Sequence, residues 1–288
     1  MENKRRIGIL GYGSVAKYFV NKIKSNPNSS FIIDFVWARN SASFLSDADK
    51  LANVTRLSGE NLSEVMSHYL TENEPPSLVV ELCHPQVIAE HALSLLRHSD
   101  LYIASITALA DQNLSRDIKT VCKNNHTSCY IPVGAAWGVP DIIKLNKQGY
   151  LTGIEISMKF NADALKLKSP LKEKLEEFKL GPTSEILIYR GTVAELALLA
   201  PNNVNTMMCI SLAADSLSSD AIEVNLYAHR EHDAHITEIV VYGINGFKVS
   251  TVRYNPAKKS AVTGEQTYLS FYTSLELSHD GEFGFNFV

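Results

Sequence analysis

The stretch RIGILGYGSVA, residues 6–16, decides the fold class of this chain. Its first five residues contain a short apolar run of the kind that forms a buried strand. Small residues follow directly, and apolar side chains then recur at helical spacing until the sequence NPN, residues 26–28, interrupts them. The stretch therefore predicts a strand, a tight turn and a helix in that order.

The turn matches the pattern Gly-x-Gly-x-x-Gly/Ala, formed here by Gly11, Tyr12, Gly13, Ser14, Val15 and Ala16. The first glycine lets the chain turn sharply, and the second has no Cβ to block an approaching pyrophosphate. The alanine is small enough for close packing between helix and strand, and the N–H groups that begin the helix favour phosphate. We predict a dinucleotide-binding loop. The alternative is a plain tight turn in a doubly wound fold.

Strands and helices alternate through the first half of the chain. After the opening unit, strands are predicted at 31–37, 78–83, 101–106 and 129–133, with helices at 87–97 and 113–124. This spacing predicts parallel βαβ units, with helices on both faces of the sheet. The first domain, residues 1–140, is therefore expected to be an α/β doubly wound Rossmann domain.

Beyond residue 140 the pattern becomes that of a second, mixed α+β domain, assigned to residues 141–263. Strands are predicted at 153–160, 185–189, 221–228, 235–242 and 246–254, and a helix at 201–216. Strands 221–228 and 235–242 are expected to pair antiparallel. The charged run 166–179 is interpreted as an exposed loop or short helix, and a final helix at about 264–278 is expected to pack back on the first domain.

Length and composition exclude several classes of function. The 288 residues suit two domains, and a net charge of −4 argues against nucleic acid or anionic lipid as the main partner. No apolar run approaches the roughly 20 residues of a membrane-spanning helix, and no signal peptide is recognisable. The cysteines form no CxxC pair, which favours reduced, mostly buried thiols in a cytoplasmic protein: Cys83, Cys122, Cys129 and Cys209.

The end of the second strand bears on the choice of dinucleotide. NAD-specific folds usually place an acidic residue there to bind the ribose 2′-OH, but this strand ends in Trp37 and Ala38, followed by Arg39 and Asn40. Asp34 lies mid-strand, where it would be too deep. Since Arg39 could instead pair with a 2′-phosphate, NADP is favoured over NAD. That Arg39 is only a solvated loop arginine stays open.

Histidines and asparagines supply the other candidate site residues. His84 follows a parallel strand at the end where doubly wound folds bind ligands, although a simple loop histidine is the alternative. Asn203 and Asn205 lie where a helix is expected to begin, so they could cap it and still offer amide groups. His235 opens a strand. His229, His232 and His235 recur every third residue, but strand alternation would keep them from converging, so no metal site is predicted.

With these residues in view, the chain resembles the L-aspartate dehydrogenase family, in its animal-type form, over nearly its whole length. The matching landmarks are the glycine loop, Val79–Glu81, Ser105–Asp111, Ile131–Gly138, Pro201–Asn205, His235, Asn255–Ala257 and Ala261–Gly264. The chain departs from the bacterial pattern at Trp137, where a small residue is usual, and after His235, which precedes Ile-Thr-Glu and not Glu directly. These departures bear on substrate preference more than on the fold.

The resemblance implies a function, a role for the second domain in substrate binding and dimerisation, and roles for particular residues. The expected reaction of amino-acid metabolism is NAD(P)-dependent oxidative deamination of L-aspartate to iminoaspartate and then oxaloacetate, or the reverse, in a homodimer. His235 would be the catalytic acid/base, and Ala135 with either Asn203 or Asn205 would contact the nicotinamide. Cations for the substrate carboxylates remain open among Lys168, Arg253 and Lys258. The alternative functions are a related imine or semialdehyde reductase and a non-catalytic NADP sensor.

Overall fold

The computed structural model describes residues 4–218, 221–231, 233–279 and 281–288. Its contacts divide the chain into two units. Unit 1 holds the described residues of Met1–Ser105, Gln112–Pro132 and Tyr272–Val288, and unit 2 holds those of Ile106–Asp111 and Val133–Phe271. The main division thus follows Pro132, whereas the sequence pattern predicted it after residue 140.

The helices and strands follow one another as the sequence pattern indicates, with a few additions. Up to residue 132 they are β1 (Arg5–Leu10), α1 (Ser14–Ser25), β2 (Phe31–Ala38), β3 (Thr55–Ser58), α2 (Leu62–Glu72), β4 (Leu78–Glu81), α3 (Pro85–Leu95), β5 (Asp100–Ile103), α4 (Gln112–Asn125) and β6 (Ser128–Ile131). Beyond it they are α5 (Val139–Lys147), β7 (Leu151–Asn161), α6 (Leu171–Leu180), β8 (Glu185–Gly191), α7 (Val193–Leu199), α8 (Asn205–Ala213), β9 (Ile222–His229), β10 (Ala234–Gly243), β11 (Lys248–Pro256), α9 (Glu265–Glu276) and β12 (Gly284–Phe287).

Unit 1 is a Rossmann-type unit, as predicted. Among its described residues seven strands form one sheet in the order β12-β6-β5-β4-β1-β2-β3, and every pairing is parallel. The chain runs outward from β1 to β3 and then returns to β4 on the other side of β1. Because such crossovers are right-handed, this reversal places helices on both faces and opens a crevice beyond the ends of β1 and β4.

The last residues of the chain complete unit 1. Tyr272, in the second half of α9, packs edge-on against Phe19 of α1 with 5.4 Å between ring centroids. The Ser274 hydroxyl donates a hydrogen bond of 2.6 Å to the carbonyl oxygen of Val288. β12 adds to the sheet beside β6. The sequence analysis assigned no strand there, because four residues without clear alternation carry little signal.

Unit 2 contains a mixed five-stranded sheet among its described residues, in the order β11-β10-β7-β9-β8. The expected antiparallel pairing of β9 with β10 is wrong, because β7 lies between them and pairs antiparallel with β10 and parallel with β9. The predicted helix at 201–216 is shorter and begins at Asn205. The charged run after residue 166 contains a short helix, α6.

One face of this sheet is largely apolar, and we call it the inner face. Strand register places on it, from β7, β9, β10 and β11 in turn, Ile154, Ile156, Met158, Phe160, Ile222, Val224, Leu226, Ala228, His235, Thr237, Ile239, Val241, Val249, Thr251, Arg253 and Asn255. Most of these side chains are buried. The inner face therefore belongs to the core of unit 2 over β7 and β9 and becomes polar towards one end of β10 and β11.

Candidate cofactor-binding loop and catalytic residues

The turn after β1 has the geometry of a dinucleotide-binding loop. Gly11 has a φ of +100°, and a Cβ there would lie 2.6 Å from the Cβ of Cys83, so the position requires glycine. A Cβ on Gly13 would meet no described protein atom within 4 Å, so the space beside it is open to a ligand. Ala16 is fully buried, and the first turn of α1 carries no acidic side chain. The loop therefore fits a pyrophosphate group.

A cluster of side chains braces this loop against the segment that follows β2. The Asp47 carboxylate lies 2.9 Å from Nζ of Lys17 and 2.9 Å from Nζ of Lys50, and these ammonium groups hold its pKa well below the usual range. The ring of Tyr12 packs against Phe44 at 5.4 Å, and burial, with the charge of Asp47, raises the pKa of Tyr12 to about 12. Asp47 was not predicted as a site residue, because its contact with Lys17 joins positions that are far apart in the chain.

The residues after β2 place a cation where a ribose-binding acid often stands. Arg39 is exposed and makes no hydrogen bond or ion pair with another described residue. Asn40 accepts a hydrogen bond of 2.9 Å from the backbone N–H of Ala42, so its side chain holds the local turn. Asp34 forms an ion pair of 2.7 Å with Arg6 within the sheet. Arg39 is thus the available charged group at this strand end.

A buried carboxylate organises the crevice between β1 and β4. Glu81 is fully buried, and its Oε1 accepts hydrogen bonds from the backbone N–H groups of Cys83 at 2.7 Å and His84 at 2.9 Å. The hydroxyl of Ser105 donates to the same oxygen, and its backbone N–H donates to Oε2. Burial raises the pKa of Glu81, although these donors oppose the shift. The sequence analysis counted Glu81 only as a family landmark; a charged residue ending an apolar strand is the signal for its role.

The His84 side chain takes part in local structure. Its Nδ1 accepts a hydrogen bond of 3.2 Å from the backbone N–H of Gln86, so the ring caps the start of α3. The residue is exposed at the carboxyl end of β4, on the crevice side of the sheet. It is therefore placed where a ligand of unit 1 could reach it, but its first evident role is that of a helix cap.

In unit 2, His235 is 7% exposed and lies on the inner face. Its Nε2 donates a hydrogen bond of 2.9 Å to the carbonyl oxygen of Ala261, and its ring packs against Phe160 with 4.5 Å between ring centroids. Burial, and then the nearby His229, lower the pKa of His235 below 6.5, while the Ala261 contact opposes the shift. The ring is therefore neutral at pH 7, with its proton on Nε2 and an unprotonated Nδ1.

The loop that carries Ala261 is held by Asn255, the register partner of His235. The Asn255 amide accepts a hydrogen bond of 3.1 Å from the backbone N–H of Gln266 and donates one of 3.0 Å to the Thr267 hydroxyl. Any side chain larger than hydrogen at Gly264 would collide with that amide. This arrangement explains why an Asn and a Gly occur at these two landmarks.

The two candidate asparagines have different surroundings. Asn203 is 3% exposed, and its amide is satisfied at both ends, accepting from the backbone N–H of Lys166 and donating to the carbonyl of Ala164. The amide oxygen of Asn205 accepts from the backbone N–H of Thr107 at 3.2 Å and from its hydroxyl. Its NH₂ group has no acceptor among the described residues. Asn205 is therefore the one with hydrogen-bonding capacity left for a ligand.

Ala135 is half-buried in the loop between β6 and α5. The carbonyl oxygen of its neighbour Gly134 accepts hydrogen bonds from Nη1 of Arg253 at 3.1 Å and from the hydroxyl of Ser270 at 3.0 Å. Gly134 itself has a φ of +55°. Two separate segments of unit 2 thus fix the backbone next to Ala135.

The described part of the chain has neither a metal-binding cluster nor a helix that could span a membrane. There, no group of three His, Cys, Asp or Glu side chains is arranged to hold a metal ion. His229 and His235 lie on β9 and β10, and His232 lies outside the described residues. The same part has no helix long and apolar enough to cross a membrane. The four cysteines are free thiols, and all but Cys83 are buried.

Residues 11–132 match the family model described as the NAD-binding domain of homoserine dehydrogenase. A crystal structure of aspartate dehydrogenase from Thermotoga maritima has the same fold, with a TM-score of 0.67 at 18% identity, and the alignment covers 98% of this chain and 100% of that one. Together with the glycine loop, these matches place the chain among the nicotinamide-dependent oxidoreductases.

The narrower assignment comes from the second half and from sequence relatives. Residues 141–275 match the C-terminal aspartate dehydrogenase model. An aspartate dehydrogenase domain-containing protein of Danio rerio is 36% identical over 94% of this chain and 93% of its own length. An L-aspartate dehydrogenase of Nitrosopumilus maritimus is 25% identical over 94% and 96% of the two chains. The chain belongs to the aspartate dehydrogenase family.

Proposed function

We propose that the chain catalyses the NAD(P)-dependent oxidative deamination of L-aspartate to oxaloacetate and ammonia, or the reverse reductive amination. The observation that carries this proposal is the geometry of His235, a buried imidazole whose Nε2 donates to the carbonyl oxygen of Ala261 and which keeps Nδ1 as a proton acceptor. The names of two relatives that align with 94% and 73% of the chain, both L-aspartate dehydrogenases, support aspartate as the substrate.

The proposed mechanism assigns proton transfer to His235. The nicotinamide cofactor, when bound, supplies the acceptor for the hydride that leaves the substrate Cα. That departure needs a neutral amine, and Nδ1 of His235 accepts the proton of the substrate ammonium. The ring releases this proton to solvent, then accepts one from the water that adds to iminoaspartate, and passes that proton to the departing ammonia. Both proton acceptances begin from the neutral imidazole, which the lowered pKa of His235 favours.

The N-terminal unit is proposed to hold the dinucleotide. The backbone at Gly13 and the start of α1 bind the pyrophosphate, and Arg39 binds a 2′-phosphate with its planar guanidinium. Because β2 ends without an acidic side chain and Arg39 is unpaired among the described residues, we favour NADP over NAD. In unit 2, the NH₂ group of Asn205 and the backbone near Ala135 are the proposed contacts for the nicotinamide.

The homodimer implied by the resemblance and the cytoplasmic location inferred from the cysteines stay proposals. β11 is an edge strand and exposes Val252 at 54% and Tyr254 at 67%, which suits a contact between two copies of the chain. Light scattering on the purified protein tests this proposal, since a monomer across the micromolar range would contradict it.

The experiment for the activity follows the absorbance of reduced nicotinamide. The protein is incubated with L-aspartate and NAD⁺ or NADP⁺, and separately with oxaloacetate, ammonium and the reduced cofactor. We expect turnover with L-aspartate but not with L-glutamate or L-malate, and a higher kcat/KM with NADP⁺. Turnover only with another imine or a semialdehyde would show that the substrate is not L-aspartate. Tight dinucleotide binding without any turnover would contradict the proposed enzyme activity and favour a dinucleotide sensor.

A further inference from the structure

The inner face of the unit 2 sheet carries a single permanently charged side chain. Over β7, β9, β10 and β11 its members are aliphatic, aromatic or neutral polar residues, apart from Arg253 and the titratable His235. Arg253 lies opposite Thr237, which is 3% exposed, and Thr237 lies opposite Met158, which is 4% exposed. The guanidinium therefore extends from a wall of neutral residues.

This guanidinium is incompletely partnered. Its one hydrogen bond among the described residues joins Nη1 to the carbonyl oxygen of Gly134 at 3.1 Å, and no described carboxylate lies within 4.0 Å. Partial burial lowers the pKa of Arg253, because no opposite charge offsets the loss of water. An arginine has five N–H donors in a planar fork that matches a carboxylate, so most of its capacity is unused. Removing such a charge from water raises its free energy unless an anion pairs with it.

The position of Arg253 relates it directly to His235. In the register of β10 and β11, His235 is opposite Asn255 and Thr237 is opposite Arg253, and all four side chains lie on the inner face. Diagonal positions of this kind are about 7–8 Å apart along the sheet. One small molecule can therefore contact both side chains, with a carboxylate at the guanidinium and its reacting carbon at the imidazole.

We propose that Arg253 binds a carboxylate of the substrate and so selects an amino dicarboxylate beside His235. This inference rests on the proposed function for the identity of the substrate but not for the existence of the anion site. The other two cations considered from sequence, Lys168 and Lys258, are both exposed, and neither belongs to the inner face. A solvated ammonium group keeps its hydration when it has no ion-pair partner, so it gains less from binding a carboxylate than a half-buried guanidinium does. It also discriminates less between carboxylates and other ligands.

The test measures binding and turnover with neutral and conservative variants of Arg253. Arg253→Gln should raise the KM for L-aspartate about 10- to 150-fold, the range expected for losing a hydrogen bond to a charged group, with kcat changed far less. Arg253→Lys should recover part of the loss, because it keeps the charge but not the fork. Lys168→Gln and Lys258→Gln remove the same charge from exposed positions of unit 2 and should leave the KM nearly unchanged.

A second readout separates this site from the activity itself. Calorimetry on the NADP⁺-loaded protein would compare succinate, a dicarboxylate without an amine, with its neutral diamide. Wild type should bind succinate and not the diamide, while Arg253→Gln should bind succinate about 10- to 150-fold more weakly and keep its dinucleotide affinity and thermal midpoint. Succinate binding that depends on Arg253, in a protein that does not oxidise L-aspartate, would support the anion site and remove the proposed function. Equal succinate affinity and aspartate KM in wild type and Arg253→Gln would overturn the inference.

Discussion

Nε2 of His235 and the carbonyl oxygen of Ala261 are 2.9 Å apart, and because a carbonyl can only accept, the imidazole proton is on Nε2. Nδ1 is therefore the basic nitrogen of the ring. The contact joins β10 to the loop that Asn255 holds, so two parts of unit 2 together set the tautomer of the proposed catalytic residue.

Replacing His235 by Ala should lower kcat by about 10²–10⁴-fold, the usual contribution of a general acid or base. The affinity for the dinucleotide should stay close to that of wild type, since the ring is proposed to move protons and not to bind cofactor. Steady-state kinetics and fluorescence titration with NADPH measure the two quantities. His98→Ala is the matched control, because His98 is exposed. A comparable loss of dinucleotide affinity would identify His235 as structural.

The lowered pKa of His235 also predicts how stability depends on pH. The unfolded chain takes up this proton near pH 6.5, whereas the folded chain takes it up only at lower pH. The contribution of His235 to stability is thus complete above about pH 6.5 and is lost as the pH falls from there towards the folded pKa. Urea unfolding of wild type and His235→Gln at several pH values measures this difference. A difference that does not change between pH 7 and pH 5 would contradict the pKa shift.

The pH dependence of the reaction rate should also reflect the protonation of His235. Oxidative deamination needs neutral His235, so kcat/KM for the proposed substrate should fall on the acid side with a midpoint below 6.5. A pH profile of initial rates with a saturating dinucleotide measures it. An acid limb centred above 6.5 would show that another group governs the reaction.

Gly11 and Gly13 should respond differently to the same change. Gly11→Ala should lower the free energy of unfolding by about 1–3 kcal/mol, because φ is +100° and the new Cβ would meet Cys83. Gly13→Ala should leave stability nearly unchanged, since no described atom lies near the new Cβ, but weaken dinucleotide binding by roughly tenfold or more. Thermal unfolding and NADPH titration of both variants test the pair. An unchanged affinity of Gly13→Ala for NADPH would contradict the proposal that this loop binds the dinucleotide.

Arg39 should determine the choice of dinucleotide. Arg39→Gln should reduce affinity for NADP⁺ about 10- to 150-fold while changing that for NAD⁺ little, because only the 2′-phosphate can pair with the guanidinium. Arg97→Gln, at an exposed position of the same unit, is the control for loss of one positive charge. Parallel losses for both dinucleotides would assign Arg39 a general electrostatic role.

Glu81→Gln should destabilise unit 1. The wild-type carboxylate accepts from three N–H groups and one hydroxyl, and an amide would present its own NH₂ to one of these donors. A buried donor left unsatisfied costs about 1–3 kcal/mol, which urea unfolding measures directly. Glu90→Gln, on the exposed side of α3, should change the free energy of unfolding by far less. Equal stabilities of the two variants would deny Glu81 an organising role.

Local sequence signals located much of unit 1 and several candidate residues. Strand, glycine turn and helix are decided within about 20 neighbouring residues, so the loop from Gly11 to Ala16 and the parallel arrangement could be predicted. His235 and Asn205 were candidates from their residue type and position, and the resemblance implied their roles. Which of the two asparagines keeps an NH₂ group for a ligand could not be predicted, because the hydrogen bonds that occupy Asn203 and engage the oxygen of Asn205 come from distant segments.

The sequence by itself determined the Rossmann class of the N-terminal unit and a short set of side chains that could bind ligands or transfer protons. The tertiary structure alone decided that β7 separates β9 from β10, that β12 joins the first sheet, and that His235 is neutral with a basic Nδ1. It also decided that Arg253, and not Lys168 or Lys258, lies on the same face of the sheet as the His235 ring. The reason is physical: propensity and periodicity act between neighbours in the chain, whereas strand register, burial and the pKa of a side chain depend on groups that only folding brings together.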